Sequence, residues 1–356
     1  MYGTMQHNKN RVEWIDVFKG VLIILMIIGH STSPFVKWIY LFHMPAFMFI
    51  SGYTAIPGKY PLHKIAFKRV KRILIPYIFW NCCFILIYQS IGNGKLNNVS
   101  LFDFLVKTYT VDIGGATWFL LVIFEISIVY EILYCTLKTL KCDRYTPYIA
   151  MMIGCIGFSL CNTGHYLPCN FDLALYGLLY YAMGNCFAKE NVLELKIPAK
   201  PMIIISFVVF IIFGGLYSEL MMNWPTRNFV GLMENVVSMI CGTYLCYRIA
   251  KWICTSRRLT KVISFYGQRT LSILIFHFAI FKLIFELFYL VGFKPQDYVY
   301  NLVPDGDYPM EWFVVTIGCL TIYAIMIVIG HQIQVQRLKH CNLSTIPKKS
   351  TQNQAP

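Results

Sequence analysis

The sequence predicts an all-α integral membrane protein, a bundle of about ten transmembrane helices with both termini in the cytoplasm. Three observations lead to this fold class. Hydrophobic residues make up 57% and charged residues 13% of the 356 residues, with a mean hydropathy of +0.56, which is more apolar surface than a soluble core of this size needs. The apolar residues gather in stretches of about 20, the length of a crossing helix. The basic residues lie mostly in alternate gaps between these stretches.

The apolar stretches define ten predicted spans. They cover approximately 14–33, 38–55, 73–91, 116–137, 147–162, 171–188, 201–219, 229–249, 266–291 and 310–331. The first span has no small-residue cleavage site after it, so we expect it to be retained rather than removed as a signal peptide. Residues 1–340 are therefore predicted to form one transmembrane domain, and the polar residues 341–356 a disordered tail.

The basic residues give the orientation. With both termini inside, 24 of the 31 Lys and Arg residues fall in inside segments and five in outside segments, while Lys19 and Lys282 lie within spans. The positive-inside rule therefore favours N-in and C-in. Topology and attraction to anionic lipids of the inner leaflet account for the net charge of +14, so we expect membrane lipids rather than nucleic acid as partners.

Three ionisable residues, Asp16, Lys19 and His30, interrupt the first span. Lys19 and His30 are 11 residues apart, close to three helical turns, so they share one helix face about 16 Å apart along the axis. Asp16 can pair with Lys19. Charges at membrane depth face protein or a water-filled cavity, so this face is predicted to line a cavity with a cation deep inside and an imidazole near its outer mouth. The alternatives are that Lys19 snorkels to the inner interface and that His30 is satisfied at the outer one.

The second span, "WIYLFHMPAFMFISGY", carries His43 at a depth comparable to His30. Two imidazoles at one depth on consecutive helices predict a proton-transfer site, because histidine titrates near neutrality. Pro45 is expected to kink this helix. The alternative role for His43 is to satisfy the backbone carbonyls that such a kink frees.

Further polar residues fall in the outer halves of the spans. They are Glu125, Asp172, Glu219, Glu234, Asn235, His277, Lys282 and Glu286. His277 and the pair Glu234-Asn235 are the better cavity candidates, and Lys282 is expected to pair with Glu286. The aromatic residues at the outer ends can stack on sugar faces or anchor the interface. These are Trp38, Tyr40, Trp118, Tyr166, Trp224 and Trp312.

The inner segment "KIAFKRVKRILIPYIFW" (64–80) places five basic residues immediately before a span. Their default role is to set the topology, and a phosphorylated substrate entering from the cytoplasm would use the same charge. Lys71 and Arg72, closest to the span, are the candidates for that contact. The 13 cysteines show no metal-type spacing, so no metal is predicted. Cys161 and Cys169 flank one predicted outward loop, and whether they form a disulfide is left open.

With these residues assembled, the chain resembles the acyltransferase 3 family of membrane acyltransferases. The family motif is Lys or Arg, ten residues, then His in the first span, here Lys19 to His30 in "DVFKGVLIILMIIGH". Five further matches follow in family order. They are "FHMPAFMFISGY" (42–53), "KRILIPYIFW" (71–80), "WFLLVIF" (118–124), "LPCNFDLALYGLLYYAMGNCF" (167–187) and "YGQRTLSILIFHF" (266–278). The "FHMP" and "LP…D" segments are most similar to the fucose 4-O-acetylase-like branch.

The resemblance implies transfer of an acyl group, expected to be acetyl, from cytoplasmic acyl-CoA to a hydroxyl of an envelope or surface glycan. The acceptor is expected to be a nascent or lipid-linked polysaccharide at the bacterial inner membrane. Direct transfer is the default, because no G-x-S-x-G nucleophile motif is present, with a transient acyl-imidazole as the alternative.

The residues take the following expected roles. His30 is the general base, and His43 assists as a proton relay or an acceptor-binding group. Lys19, oriented by Asp16, contacts the donor's phosphates or thioester carbonyl. Lys71 and Arg72 are weaker candidates for the donor phosphates.

The competing hypothesis is a transporter or flippase of a glycan or small anion, in which a charged helix face is equally ordinary. A structural or sensory membrane protein is the third interpretation, and it leaves the pairing of His30 and His43 unexplained. Association as a homodimer is left open.

Overall fold

The structure is a computed structural model that describes residues 12–91, 115–164, 166–190, 192–194, 198–217 and 222–344. None of these residues forms a β-strand, and the fold is all-helical. The helices are α1 (Glu13–His30), α2 (Val36–Tyr40), α3 (His43–Tyr53), α4 (Leu62–Arg69), α5 (Ile75–Ile91), α6 (Trp118–Thr139), α7 (Thr146–Cys161), α8 (Phe171–Lys189), α9 (Ala199–Leu216), α10 (Leu232–Ile253), α11 (Arg257–Gly267), α12 (Thr270–Leu290) and α13 (Glu311–Ser344). A π-helical turn, Val70–Leu74, joins α4 to α5.

The all-α class is confirmed, and each predicted span contains a helix or, for the second, two short helices. Four helical segments are long and apolar enough to cross a membrane by themselves: Gly115–Thr139, Ala199–Leu216, Thr270–Leu290 and Glu311–Val335. The count of ten and the N-in orientation stay predictions. Helix α13 extends to Ser344, so the first four residues of the expected tail are helical. Residues 345–356, the loop 92–114 and Glu219 lie outside the described residues.

The second predicted span is broken rather than kinked. Helix α2 has 5 residues and α3 has 11, and 11 residues extend about 17 Å, roughly half of the hydrocarbon thickness. The expected kink at Pro45 is wrong, because Pro45 lies in the first turn of α3, where its missing N–H would have no intrahelical partner anyway. The carbonyl four residues earlier, that of Leu41, instead accepts a hydrogen bond from Asn235 Nδ2 at 3.1 Å.

Helix α3 crosses α8 with the two backbones in contact. A Cβ added at Gly52 would lie 1.9 Å from the Tyr181 carbonyl oxygen, and one at Gly184 would lie 1.9 Å from that of Phe49. Only glycine permits this approach. Across the same crossing, Asn185 Nδ2 donates to the Gly52 carbonyl at 3.3 Å. The short α3 is thereby fixed in depth, which fixes the position of His43 at its outer end.

A second close crossing lies at the inner end of α1. A Cβ at Gly20 would meet the Ile263 carbonyl oxygen at 2.2 Å, and one at Gly267 would meet that of Asp16 at 1.8 Å. Helix α11, within the predicted inside segment 248–269, therefore lies directly against the turn that carries Asp16 and Lys19.

The outer surface of the bundle is apolar. On α9, Ile204, Phe207 and Ile211 are exposed, and on α13 the exposed side chains include Val314 and Ile325. A soluble protein does not expose apolar surface on this scale. Lipid is the environment that satisfies these faces, so the molecule is a membrane protein.

Candidate active site

A cavity of about 210 Å³ lies where the outer end of α1 meets α2, α3 and α12. Its polar lining includes His30, Tyr40, His43 and Asn223, and most of the remaining lining is apolar or aromatic. Pockets that enclose a whole drug-sized ligand measure about 300–1,000 Å³. The cavity is therefore suited to the reacting end of a substrate rather than to a whole substrate.

His30 is the last residue of α1, and its ring joins the cavity to two neighbours. The Nδ1 atom lies 3.1 Å from the Tyr40 hydroxyl, and the ring centroid lies 5.0 Å from that of Phe278. Either the hydroxyl or Nδ1–H can donate in this hydrogen bond, depending on the tautomer. His30 thus has one nitrogen held at the cavity wall and an adjacent hydroxyl that can carry a proton.

His43 is the first residue of α3, and the structure brings it to the same cavity as His30. Its Nδ1 lies 2.8 Å from the Ile39 carbonyl oxygen. A carbonyl can only accept, so Nδ1 carries the hydrogen and Nε2 carries the lone pair. The ring also lies 5.2 Å from that of Tyr40. His43 therefore satisfies one backbone carbonyl at the break between α2 and α3, which is its alternative role, and Asn235 satisfies another, that of Leu41.

His277 is the third imidazole at this end of the bundle. It is fully buried on α12, and its ring centroid lies 5.3 Å from that of His30. Its Nδ1 lies 2.9 Å from the Leu274 carbonyl oxygen and 3.2 Å from that of Ile273. Its Nε2 is buried and has no hydrogen-bond partner among the described residues. His277 lies behind His30 and does not line the cavity.

Tyr40 is the site residue whose role the sequence analysis missed, since it was grouped with the sugar-stacking and anchoring aromatics. The available signal was its spacing, because Tyr40 precedes His43 by three residues and so lies near it on a helical path. Of the other outer aromatics, Trp118 and Trp224 line the cavity, and Trp38 and Tyr166 do not.

Lys19 does not line the cavity. It is half-buried, three turns inward from His30 along α1. Asp16, buried one turn further in, accepts a hydrogen bond from Gln268 Nε2 at 3.3 Å. The shared helix face was predicted correctly, but the structure places the two ends of the motif in different surroundings.

The basic residues before α5 divide into two environments. Lys71 and Arg72 lie in the π-helical turn with exposed side chains. Arg69, which was assigned to topology alone, is half-buried, and its guanidinium approaches the Tyr181 hydroxyl and the Glu131 carboxylate. Lys71 and Arg72 are thus open to a ligand from solution, as are Lys64 and Lys68.

The segment 222–231 forms one wall of the cavity and is held by a buried ion pair. Arg227 Nε lies 2.9 Å from Asp172 Oδ2, and Nη2 lies 2.9 Å from Oδ1. A second Nη2 bond, of 2.8 Å, reaches Asn170 Oδ1. Trp224 stacks on Tyr176 with ring centroids 4.8 Å apart. This bidentate anchor fixes the loop that carries the cavity-lining Trp224.

The outer loop 292–310 supplies another wall through Leu302 and Val303. Two tethers flank these residues. Thr32 Oγ1 donates to the Pro304 carbonyl at 2.7 Å, and Lys282 Nζ donates to the Val299 carbonyl at 3.0 Å. Lys282 thus contacts this loop, and its pairing with Glu286 stays a prediction.

A buried lysine secures the far end of the same loop. Lys294 Nζ lies 2.6 Å from Asp305 Oδ1, 3.1 Å from Asp307 Oδ2 and 3.6 Å from Glu311 Oε2. Burial by itself would lower the pKa of Lys294, but hydrogen bonds to Asp305 and Asp307 raise it. Burial would likewise raise the pKa of Asp305, and the Lys294 ammonium lowers it.

The cysteines flanking the outward loop are not bridged. Cys161 and Cys169 do not form a disulfide, and the Cys161 thiol donates to Asp172 Oδ2 at 3.6 Å. Cys161 therefore contacts the ion pair that anchors the 222–231 wall.

Comparison with known proteins shows similarity to one family. The sequence model of an acyltransferase domain matches residues 12–331. Nodulation protein NolL of Mesorhizobium japonicum (strain LMG 29417 / CECT 9101 / MAFF 303099) is 35% identical over 140 residues, 35% of this chain and 36% of that protein. Nodulation protein NolL of Sinorhizobium fredii (strain NBRC 101917 / NGR234) is 34% identical over 128 residues, 31% of this chain and 33% of that protein. The matches thus span about a third of these curated relatives, and no solved structure matches significantly.

Proposed function

Since this chain belongs to the acyltransferase 3 family, with the family match covering residues 12–331, we propose that it transfers an acetyl group from cytoplasmic acetyl-CoA to a hydroxyl of an envelope or surface glycan. The observation that carries the proposal is the cavity in which His30, Tyr40 and His43 meet. We place the enzyme in the bacterial inner membrane.

The chemistry requires a base, because an alcohol is a poor nucleophile at neutral pH. His30 accepts the proton of the acceptor hydroxyl as the oxygen attacks the thioester carbonyl. The C–O bond forms, the C–S bond breaks, and the departing CoA thiolate takes the proton back. A positioned imidazole contributes about 10²–10⁴-fold to such a step.

The donor enters from the side that carries the exposed cations Lys71 and Arg72 and the half-buried Lys19. These three cations hold the phosphates of CoA, and Asp16 orients Lys19. The separation of about 16 Å between Lys19 and His30 along α1 requires the acyl group to travel on a flexible arm. The pantetheine chain of CoA has this property, which supports a thioester of CoA as the donor. No metal takes part in this scheme.

The acceptor approaches from the outer side, where the segments 222–231 and 292–310 frame the cavity. Trp118 and Trp224 offer aromatic faces at its wall, and such faces stack on the apolar face of a sugar ring. The small size of the cavity supports an acceptor that inserts one hydroxyl-bearing residue, as the end of a nascent or lipid-linked polysaccharide can.

The test is an assay of membranes with radiolabelled acetyl-CoA and the native glycan fraction. Wild-type membranes should place label in carbohydrate, and His30→Ala membranes with equal amounts of inserted protein should retain no more than a few per cent of that activity. Label in phospholipid or protein, with none in carbohydrate, would reject the glycan acceptor and keep acyl transfer. Glycan movement without any transfer of label would favour a flippase instead.

A further inference from the structure

His277 carries a buried hydrogen-bond acceptor, Nε2, that has no donor among the described residues. The two carbonyl oxygens near Nδ1, those of Ile273 and Leu274, can only accept, so the ring hydrogen lies on Nδ1 and the lone pair on Nε2. That Nε2 is buried and has no partner among the described residues. A buried acceptor without a donor destabilises the fold, so a donor is expected at this position.

The neighbouring ring able to donate is that of His30. Two imidazoles joined by an N–H···N hydrogen bond of about 3.0 Å hold their centroids about 5 Å apart, since each nitrogen lies roughly 1 Å from its ring centre. The observed centroid distance between His30 and His277 is 5.3 Å, with 30° between the ring planes. Phe278 packs against both rings, 5.0 Å from His30 and 4.1 Å from His277, and keeps them from separating.

We propose that His277 is a positioning residue. A small rotation of the two rings, which are not hydrogen-bonded to each other in this structure, lets His277 Nε2 accept a hydrogen bond from His30 Nε2–H, and this bond fixes the tautomer of His30. The donor and acceptor in this hydrogen bond follow from the Leu274 carbonyl, which can only accept. The Leu274 carbonyl accepts from His277 Nδ1, His277 Nε2 accepts from His30, and the lone pair of His30 is left on Nδ1. The Tyr40 hydroxyl, 3.1 Å away, then donates to that lone pair.

This arrangement gives the proton a defined route, and it rests on the proposed acyl transfer. The acceptor hydroxyl passes its proton to the Tyr40 oxygen as the Tyr40 proton moves to His30 Nδ1. The acceptor oxygen forms the ester C–O bond, the C–S bond breaks, and the thiolate recovers the proton by the reverse path. His277 neither gains nor loses a proton. Its lone pair stabilises the imidazolium that His30 becomes during the reaction.

Two substitutions distinguish the contribution of His277 Nδ1 from that of Nε2. An Asn amide nitrogen lies at about the position of Nδ1, and a Gln amide lies at about the position of Nε2, where its oxygen can accept. We expect His277→Asn to lower turnover about 100-fold, within the range for a misplaced general base, with the KM for acetyl-CoA changed less than about threefold. His277→Gln should recover most of that loss. His331→Asn, at an exposed histidine of α13, is the control and should match the wild type.

The double variant His30→Ala with His277→Asn distinguishes a positioning role of His277 from a structural one. If His277 acts through His30, adding His277→Asn to His30→Ala should cause no further loss, because coupled residues are not additive. Wild-type turnover in His277→Asn, or a further tenfold loss in the double variant, would overturn the proposal. Failure of the wild type to acetylate glycan would instead reject the proposed function. Should His277→Asn not fold, judged by size-exclusion in detergent, His277→Gln against the similarly shaped His277→Met decides by the same criteria.

Discussion

His43 uses its two nitrogens differently, so its structural and chemical roles can be separated by one substitution. Nδ1 holds the Ile39 carbonyl, and Nε2 carries the lone pair in a residue that lines the cavity. Asn can keep the first contact through its amide nitrogen and lacks the second. We therefore expect His43→Asn to fold normally and to turn over at least about tenfold more slowly, measured with purified enzyme at saturating acetyl-CoA. Wild-type turnover would leave His43 with the anchoring role alone.

Lys19 is expected to act through its charge on the donor. Arg keeps the charge and adds bidentate geometry, whereas Gln keeps most of the length and loses the charge. Lys19→Arg should therefore retain substantial activity, and Lys19→Gln should raise the KM for acetyl-CoA about tenfold or more, a loss of about 1.4 kcal/mol in binding. Steady-state kinetics at fixed acceptor concentration measure both. The reverse ranking would mean that position 19 works through shape.

At the scale of elements, the pair of Asp172 and Arg227 ties the 222–231 segment to the start of α8. The two side chains are 0% and 3% exposed, and removing one partner of such a pair leaves an unpaired buried charge at a cost of about 3–5 kcal/mol. We expect Arg227→Met to lower the melting temperature in detergent and to reduce activity, because Trp224 loses its anchor.

The control for this ion pair is the double variant Asp172→Leu with Arg227→Met, in which no buried charge is left over. It should be more stable than Arg227→Met alone. A double variant less stable than the single one would show that Asp172 stabilises the fold through another contact, such as that with the Cys161 thiol.

The loop 292–310 should show a pH-dependent contribution to stability through Lys294. Because the pKa of Asp305 is lowered in the folded protein, its ionised carboxylate stabilises the fold above about pH 4. This contribution is lost as the pH falls through the folded-state pKa of Asp305. Because the pKa of Lys294 is raised in the folded protein, its ammonium stabilises the fold below about pH 10.4. This contribution is lost as the pH rises through the folded-state pKa of Lys294. The difference in melting temperature between wild type and Lys294→Met should be largest at intermediate pH, and it should shrink at low pH as the carboxylates lose their charge and at high pH as the ammonium does. A difference that grows below about pH 4 would contradict this account.

The sequence predicted the positions of the helices more accurately than the breaks between them. Apolar stretches of crossing length identified the regions of α1, α6 and α12, because that signal is local. The break between α2 and α3 was not found, since it depends on a side chain of α10, Asn235, that takes over a backbone carbonyl. Contacts between distant parts of the chain leave no local pattern.

The same limit applies to the candidate site. A common depth of His30 and His43 follows from the predicted span boundaries, and the structure brings both side chains to one cavity. The place of His277 behind His30 depends on how α12 packs against α1, so sequence gave only its depth in a span. The cavity wall at 222–231 is positioned by the ion pair of Arg227 with Asp172, and the wall at 292–310 by the hydrogen bond from Thr32 to Pro304. Contacts between residues so far apart in sequence cannot be read from spacing.

For the whole molecule, the apolar exterior and the uneven basic charge together specify how it lies in the membrane. Exposed apolar side chains cover α9 and much of α13, and these faces have to meet lipid. Around α7, Lys138, Lys141 and Arg144 precede the helix, whereas the segment "CNTGHYLPC" after it has no Lys or Arg. The positive-inside rule therefore predicts that α7 starts in the cytoplasm and ends outside.

Epitope tags on either side of α7 test this topology directly. An added Cβ at Gly164 meets nothing within 4 Å, and Lys141 is exposed, so short insertions after each should be tolerated. In intact spheroplasts, antibody should reach the tag at 164 and not the tag at 141, and permeabilisation should reveal both. The opposite pattern would mean N-out. Both tags on one side would mean that α7, with 16 residues or about 24 Å, does not cross, and the count of ten spans would fall. Glycan acetylation by each tagged protein shows that the insertion has left the fold intact.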